Sequence, residues 1–289
     1  MSYTSPIQKL AQQFAYADIA TQATNLQNQQ NELNAESSGL DSLSTALTDF
    51  QTAIDALNSD TDGPLTFSAT TNNESNTVSA NSQAQAGTYS FYVSQLAQGQ
   101  QTTFSMSDDT YAATGSFEIT MDDGTTMDID LSTVDEDGDN CVDASELVDA
   151  INNSDDNPGV SAALVKTDGT TTIMLTSDTT GEQSGFSVSV SGNTDLATAE
   201  SSSEQQITQA QDAIIHLGNE DGPAITSSTN TFDDVIPGVT MTFSEVSDPD
   251  DPNDVTTFTV AEDSSGSQAK VQTFVDAYNT LVDTKIGRA

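Results

Sequence analysis

Leu26, Leu33, Leu40, Leu47 and Ile54 recur every seven residues. Leu43, Phe50 and Leu57 form a second row, three residues after the later members of the first. Two apolar rows at this spacing make a heptad seam, the pattern by which helices wrap on one another. In the first half of the seam the second row is polar, with Gln29 and Glu36, and the grip is weaker. Upstream, Ile7, Leu10, Phe14 and Ala17 continue a helical stripe back to Ser5-Pro6, a cap followed by proline at the first helical position. Asp60-Thr-Asp-Gly-Pro64 stops it. The spacing therefore predicts one helix over residues 5–58, about 80 Å long at the standard rise. A rod of that length does not fit inside one globule. It must pack on another helix or on other copies, and its length argues against an ordinary amphipathic helix lying on a sheet. Leu26, Leu33, Leu40, Leu43, Leu47, Phe50, Ile54 and Leu57 are its expected coiled-coil interface.

The other end of the chain returns to helix. Val271, Phe274, Val275, Tyr278, Leu281 and Val282 step by three and four within 266–286. Between the helices the period changes to two. Gly87-Thr-Tyr-Ser-Phe-Tyr-Val-Ser94, Phe117–Met121, Met127–Leu131, Ile173–Leu175, Phe186–Val190, Val239–Phe243 and Thr257–Val260 alternate as half-buried strands do. Asp-Gly pairs at 123–124 and 168–169 suit tight hairpins. One helix, 144–153, interrupts the strands, and the Ser/Glu/Gln stretch at 199–206 reads as a crossing between two domains. The expected fold is α+β: a long N-terminal coiled-coil helix and a C-terminal helix forming a stalk, with two β-rich head domains. The expected domains are 1–60 for the stalk helix and 61–103 with 207–263 for a discontinuous first head domain. Residues 104–198 would be the inserted second head domain, and 264–289 the C-terminal stalk helix.

Charge narrows the partners. Asp and Glu number 45 against 5 Lys and Arg, a net −40. That balance excludes nucleic-acid binding and a polybasic grip on anionic lipid, both of which need cations on the protein. It implies a saline setting that screens self-repulsion, whether a marine source or a halophile that acidifies all its proteins. Cys141 is the single cysteine, so no intrachain disulfide forms. His216 is the single histidine and lies in the apolar run Ala213–Leu217, which reads as a strand with a packing or surface histidine. Hydrolytic and transition-metal chemistry thus has few candidates, and no enzyme is expected. The first thirty residues lack a cleavable signal pattern, and no apolar run is long enough to insert in a membrane.

One loop carries ligand chemistry. Asp135, Asp137, Asp139, Asp143 and Glu146 occupy positions 1, 3, 5, 9 and 12 of the twelve-residue calcium loop, and Cys141 at position 7 would offer its backbone carbonyl. Val142 is apolar at position 8. Asn140 stands at position 6 where glycine is expected, and asparagine tolerates the left-handed conformation better than most residues. A strand precedes the loop, so the expectation is a single strand-loop-helix site. The competing reading is an acidic connector in which Asp143 or Ser145 caps the following helix. No cofactor is required; Ca2+ is the candidate ligand.

The chain resembles the bacterial flagellar filament cap family, flagellar hook-associated protein 2. The resemblance lies in the heptad helix ending Leu47-Thr-Asp-Phe50 and Ile54-Asp-Ala-Leu57, and in Ala86-Gly-Thr-Tyr-Ser-Phe-Tyr-Val-Ser-Gln-Leu-Ala-Gln98. It continues in Ala210-Gln-Asp-Ala213 with Ser228-Thr-Asn230 and Val235-Ile-Pro-Gly-Val-Thr-Met-Thr-Phe243, and in Phe274-Val-Asp-Ala-Tyr-Asn279. It implies an extracellular, ring-like homo-oligomer at the flagellum tip, exported through the flagellar channel without a cleaved signal. Its implied partners are flagellin and the hook–filament junction proteins. The alternative is a calcium-stiffened adhesin that binds host or surface glycans. Members usually continue past the Phe-Val-x-Ala-Tyr-Asn helix into further stalk helices. With this chain ending at Ala289, either the sequence is a truncated form or the first half of the rod packs on neighbouring copies, and residues 5–30 are expected to fray in a monomer.

Overall fold

Ser5 starts the long helix by accepting the Gln8 amide on its hydroxyl (3.3 Å), while the Gln8 side chain accepts the Ser5 amide (3.0 Å). This reciprocal cap and Pro6 fix the first turn. A computed structural model describes residues 5–59, 61–106, 111–167, 170–251 and 253–286. Asp60 and the Asp168-Gly169 pair, expected at a hairpin, lie outside the described residues. The elements in chain order are α1 (Pro6–Leu57), β1 (Phe67–Thr71), β2 (Thr77–Ala80), β3 (Gly87–Gln95), β4 (Gln101–Met106), β5 (Tyr111–Ala112), β6 (Ser116–Met121) and β7 (Thr126–Asp130). There follow β8 (Cys141–Val142), α2 (Ala144–Asn153), β9 (Val160–Thr167), β10 (Thr170–Ser177), β11 (Phe186–Ser191), α3 (Thr194–Ser203) and β12 (Gln205–Thr208). The last are β13 (Ala213–Leu217), β14 (Ala224–Ser227), β15 (Thr231–Ile236), β16 (Val239–Thr242), β17 (Thr256–Glu262) and α4 (Ser264–Ile286). They fall into two units: residues 1–66 with 263–289, and residues 67–262.

The first unit is an antiparallel helix pair. Phe50 of α1 meets Phe274 and Tyr278 of α4 with ring centroids 5.5 and 5.9 Å apart. Asp263 accepts the amides of Ser265 and Gly266 and so caps α4, and Thr66 reaches the same turn through Ser267. Lys270 closes the joint by binding the Asp62 carboxylate and the carbonyls of Asp62 and Gly63. The buried residues of α1 are Gly39, Ala46 and Ala53, a seven-spaced row of small side chains that lets α4 approach closely. Ala46→Leu puts three extra carbons into that contact and is expected to cost about 1–3 kcal/mol. Thermal melting of the helix signal checks this, since an unchanged transition contradicts the close approach.

The second unit holds two hydrophobic cores. The first core gathers Phe91, Val93, Ile215, Met241, Phe243 and Phe258 between the five-stranded sheet β1-β17-β3-β13-β14 and the three-stranded sheet β15-β16-β2. The second gathers Phe104, Phe117, Met127, Leu147, Ile151 and Leu196 among the sheets β12-β4-β10-β9 and β11-β6-β7 and the helices α2 and α3. Within the second unit the strand pairs are antiparallel. Asp123-Gly124 makes the tight turn from β6 to β7, with Gly124 at φ +89°.

Three expectations change. A second helix is present besides 144–153. The polar stretch at 199–206 is not a crossing: it is the end of α3 followed by β12, which pairs with β4. Asn193 accepts the Leu196 amide to start α3, and Leu196 and Glu200 are the side chains it buries. The expected 103/104 boundary falls inside β4, whose sheet partners are β10 and β12.

Candidate functional site

The eight residues expected at the coiled-coil seam divide into two groups. Phe50, Ile54 and Leu57 are half-buried in the helix pair. Leu26, Leu33, Leu40 and Leu47 are 65, 65, 67 and 58 % exposed, and Leu43 is 41 % exposed. The intrachain contact therefore runs one residue off the leucine row, along Gly39, Ala46 and Ala53, with Leu43, Phe50 and Leu57 between them. This offset leaves the leucine row of the expected seam uncovered within one chain. Its cause is steric: a close helix approach selects small residues at the line of contact. The signal was legible as a second seven-residue repeat, one position before the leucines. Every residue from Ser5 to Ser38 is exposed in the single chain. The ridge Leu26-Leu33-Leu40-Leu47 is thus an apolar stripe on the side of α1 that α4 does not cover.

The acidic loop forms between β7 and α2. Asp135 turns its carboxylate into the loop: Oδ1 accepts the amides of Gly138 (2.8 Å) and Asp139 (3.2 Å), and Oδ2 accepts the amide of Asn140 (2.9 Å). Asp137 accepts the Asp139 amide and Asp139 the Cys141 amide. Asn140 sits at φ +64°, the left-handed turn the loop requires at this position. One carboxylate oxygen from each of Asp135, Asp137 and Asp139 lies within 4.8 Å of the others. Three short anionic oxygen donors brought together suit a hard cation. The structure does not bring Asp143 and Glu146 to them. Asp143 accepts the amides of Ser145 (2.7 Å) and Glu146 (2.9 Å) and caps α2. Glu146 accepts the amides of Glu136 (2.9 Å) and Asp143 (3.0 Å). Cys141 is half-buried in β8, opposite Ala112 of β5.

The cap has an acid–base consequence. The Glu146 amide, helped by Ser145 and opposed by partial burial, holds the Asp143 carboxyl below the usual aspartate range. A carboxyl whose folded pKa is depressed contributes stability above its unfolded pKa and loses it as pH falls through the folded value. Asp143→Ala is therefore expected to cost about 1 kcal/mol near neutral pH. The cost should vanish in acid below the folded pKa. Melting curves of both proteins across pH check this, since a pH-independent difference contradicts the cap.

His216 is a packing residue. Its Nδ1 lies 3.0 Å from the Gly222 carbonyl, and its ring meets Tyr92 edge-on at 6.3 Å. No described helix is long and apolar enough to cross a membrane.

The family model for the flagellar hook-associated protein 2 N-terminus matches residues 5–100, which hold α1 to β3. The model for the C-terminus of the same family matches residues 210–287, which hold β13 to α4. The chain belongs to the flagellar hook-associated protein 2 family. Family relatives include the lateral flagellar hook-associated protein 2 of Vibrio parahaemolyticus, 39 % identical over 72 % of this chain and 48 % of the relative. The flagellar hook-associated protein 2 of Escherichia coli O157:H7 is 34 % identical over 90 % of this chain and 55 % of its own length. The chain spans about half the length of these curated relatives. Among solved structures, the D1-D2-D3 domains of the flagellar cap protein FliD from Escherichia coli match with a TM-score of 0.67. They are 30 % identical, over 86 % of this chain and 72 % of that one. FliD from Pseudomonas aeruginosa PAO1 matches with a TM-score of 0.55 and 26 % identity, over 73 % of this chain and 94 % of that one. The α+β fold is the family's.

Proposed function

We propose that the chain is a stalk-and-head portion of a flagellar filament cap. Copies form a ring-like assembly at the extracellular filament tip, with helices docked on the filament. The heads form a plate beneath which exported flagellin folds and polymerises. The observation that carries this reading is the match of both helical ends to the two ends of one family, with α1 and α4 lying against each other. The exposed leucine ridge supports oligomerisation, because a row of apolar side chains at heptad spacing gains free energy when a second helix covers it. The partners are then further copies, flagellin and the hook–filament junction proteins, reached through the flagellar export channel. The reading contains no catalytic step. The two cores of residues 67–262 support two head domains, one discontinuous and one inserted. No observation favours the adhesin alternative. Gold-labelled antibody to this chain tests the location: label confined to filament tips is expected, and label along filament sides or on the cell body overturns the reading.

Calcium at the acidic loop is a second proposal, supported by the 135–146 spacing and the convergence of Asp135, Asp137 and Asp139. With Asp143 and Glu146 engaged in the helix cap, binding is expected to be weak, on the order of 0.1–1 mM. Calorimetric titration with calcium chloride should give heat that Asp137→Ala loses. Equal heats from the two proteins would dispose of the site.

A further inference from the structure

Strand β9 is an edge strand, paired on one side with β10. Its other side is half closed by side chains. Asn152 donates through Nδ2 to the Ala162 carbonyl (2.9 Å) and accepts the Ala162 amide on Oδ1 (2.8 Å). Asn157 does the same for Val160, with both bonds at 2.9 Å. A carboxamide carries the donor and acceptor of a peptide group, so each asparagine imitates one residue of a neighbouring strand. In an antiparallel pair, alternate residues turn their amide and carbonyl outward. With Val160 and Ala162 outward, Leu164 and Lys166 are outward too. Their outward groups have no partner among the described residues. Leu164 and Val165 are 37 and 39 % exposed, and Lys166 is exposed. The plug stops halfway along the strand and leaves a short open template.

Charge identifies what fits it. Lys166 is the one Lys or Arg between residues 67 and 262. The ion pair found among the described residues, Lys270–Asp62, does not involve it; the Asp143 carboxylate of the same chain lies within its electrostatic reach without forming an ion pair. The other charged side chains of two meeting heads are all carboxylates. Only a contact that brings acid to Lys166 is favoured by attraction. A lysine on an edge ordinarily discourages like edges from pairing, and β9 against β9 would bring two lysines together. An acidic edge is available on the same head: β7, the outer strand of β11-β6-β7, buries Met127 and Ile129 and exposes Asp128. Resting on the oligomeric reading above, we propose that β7 of a second copy pairs along Leu164–Lys166 of β9, with Asp128 facing Lys166. Two different surfaces meet in this contact, so it is head-to-tail and closes into a ring when the rotation permits.

Sedimentation equilibrium of the full chain in saline buffer tests this, with melting curves confirming that each variant folds. Lys166→Glu and Asp128→Lys are each expected to weaken association about tenfold or more, and the double exchange to recover it to within about threefold. A Lys166→Glu protein that associates within about twofold of the parent overturns the contact. So does a double exchange that recovers nothing. Leu33→Asn with Leu40→Asn separates this contact from the stalk. If that protein still associates and still responds to Lys166→Glu, the head contact stands and the ridge does not carry the assembly. A parent chain that stays monomeric overturns both.

Discussion

Phe243→Ala is expected to destabilise the first core of residues 67–262 by about 3–5 kcal/mol. Phe243 is 1 % exposed and sits at the centre of an aromatic cluster, 6.1 Å from Phe91, 5.7 Å from Phe232 and 5.5 Å from Phe258 between ring centroids. Removing the ring loses its transfer free energy and opens a cavity that three other rings cannot collapse into. The second core does not contain these residues. On the proposed division into two head domains, calorimetry should show one transition falling while the other, built on Phe104 and Phe117, stays near its parent temperature. A single transition that moves as a whole would contradict the two-domain division.

The melting temperature of the whole chain is expected to rise by on the order of 10 °C or more between about 0.05 and 2 M NaCl. The cause is the net charge of −40. At low salt the Debye length exceeds the distance between neighbouring carboxylates, and compaction brings them together; at molar salt it falls to about 3 Å and the repulsion is screened. The same low salt should weaken association of copies, since two chains of like charge approach. A melting temperature independent of salt would show that surface charge does not limit this fold.

Most of the architecture was legible because period carries it. The 3.6- and 7-residue repeats located α1 and α4, and alternation located β6, β7, β11, β16 and β17, because one face of each is more buried than the other; β3 was legible from its aromatic and apolar run, since Phe91, Tyr92 and Val93 are all buried. What failed was helix without an apolar face. In α3 only Leu196 and Glu200 are buried, so its Ser-rich sequence read as a connector, although Asn193 was a visible cap. The one-residue offset of the intrachain contact on α1 escapes notice for a related reason. Apolar weight marks the leucines, while the partner within the chain sits on Gly39, Ala46 and Ala53, where small side chains admit it. In the acidic loop the left-handed turn at Asn140 followed from residue chemistry. That Glu146 binds amides at Glu136 and Asp143 did not, since a helix cap and a cation draw on the same carboxylates.

The proposed assembly rests on the leucine ridge of α1 as a contact between helices of different copies. Hydroxyl-radical footprinting of Leu33 and Leu40, in dilute single chains and in the assembled particle, reads this at the side chains themselves. Both leucines should label freely in the single chain, where they are 65 and 67 % exposed, and fall severalfold on assembly. Equal labelling in the two states would contradict it.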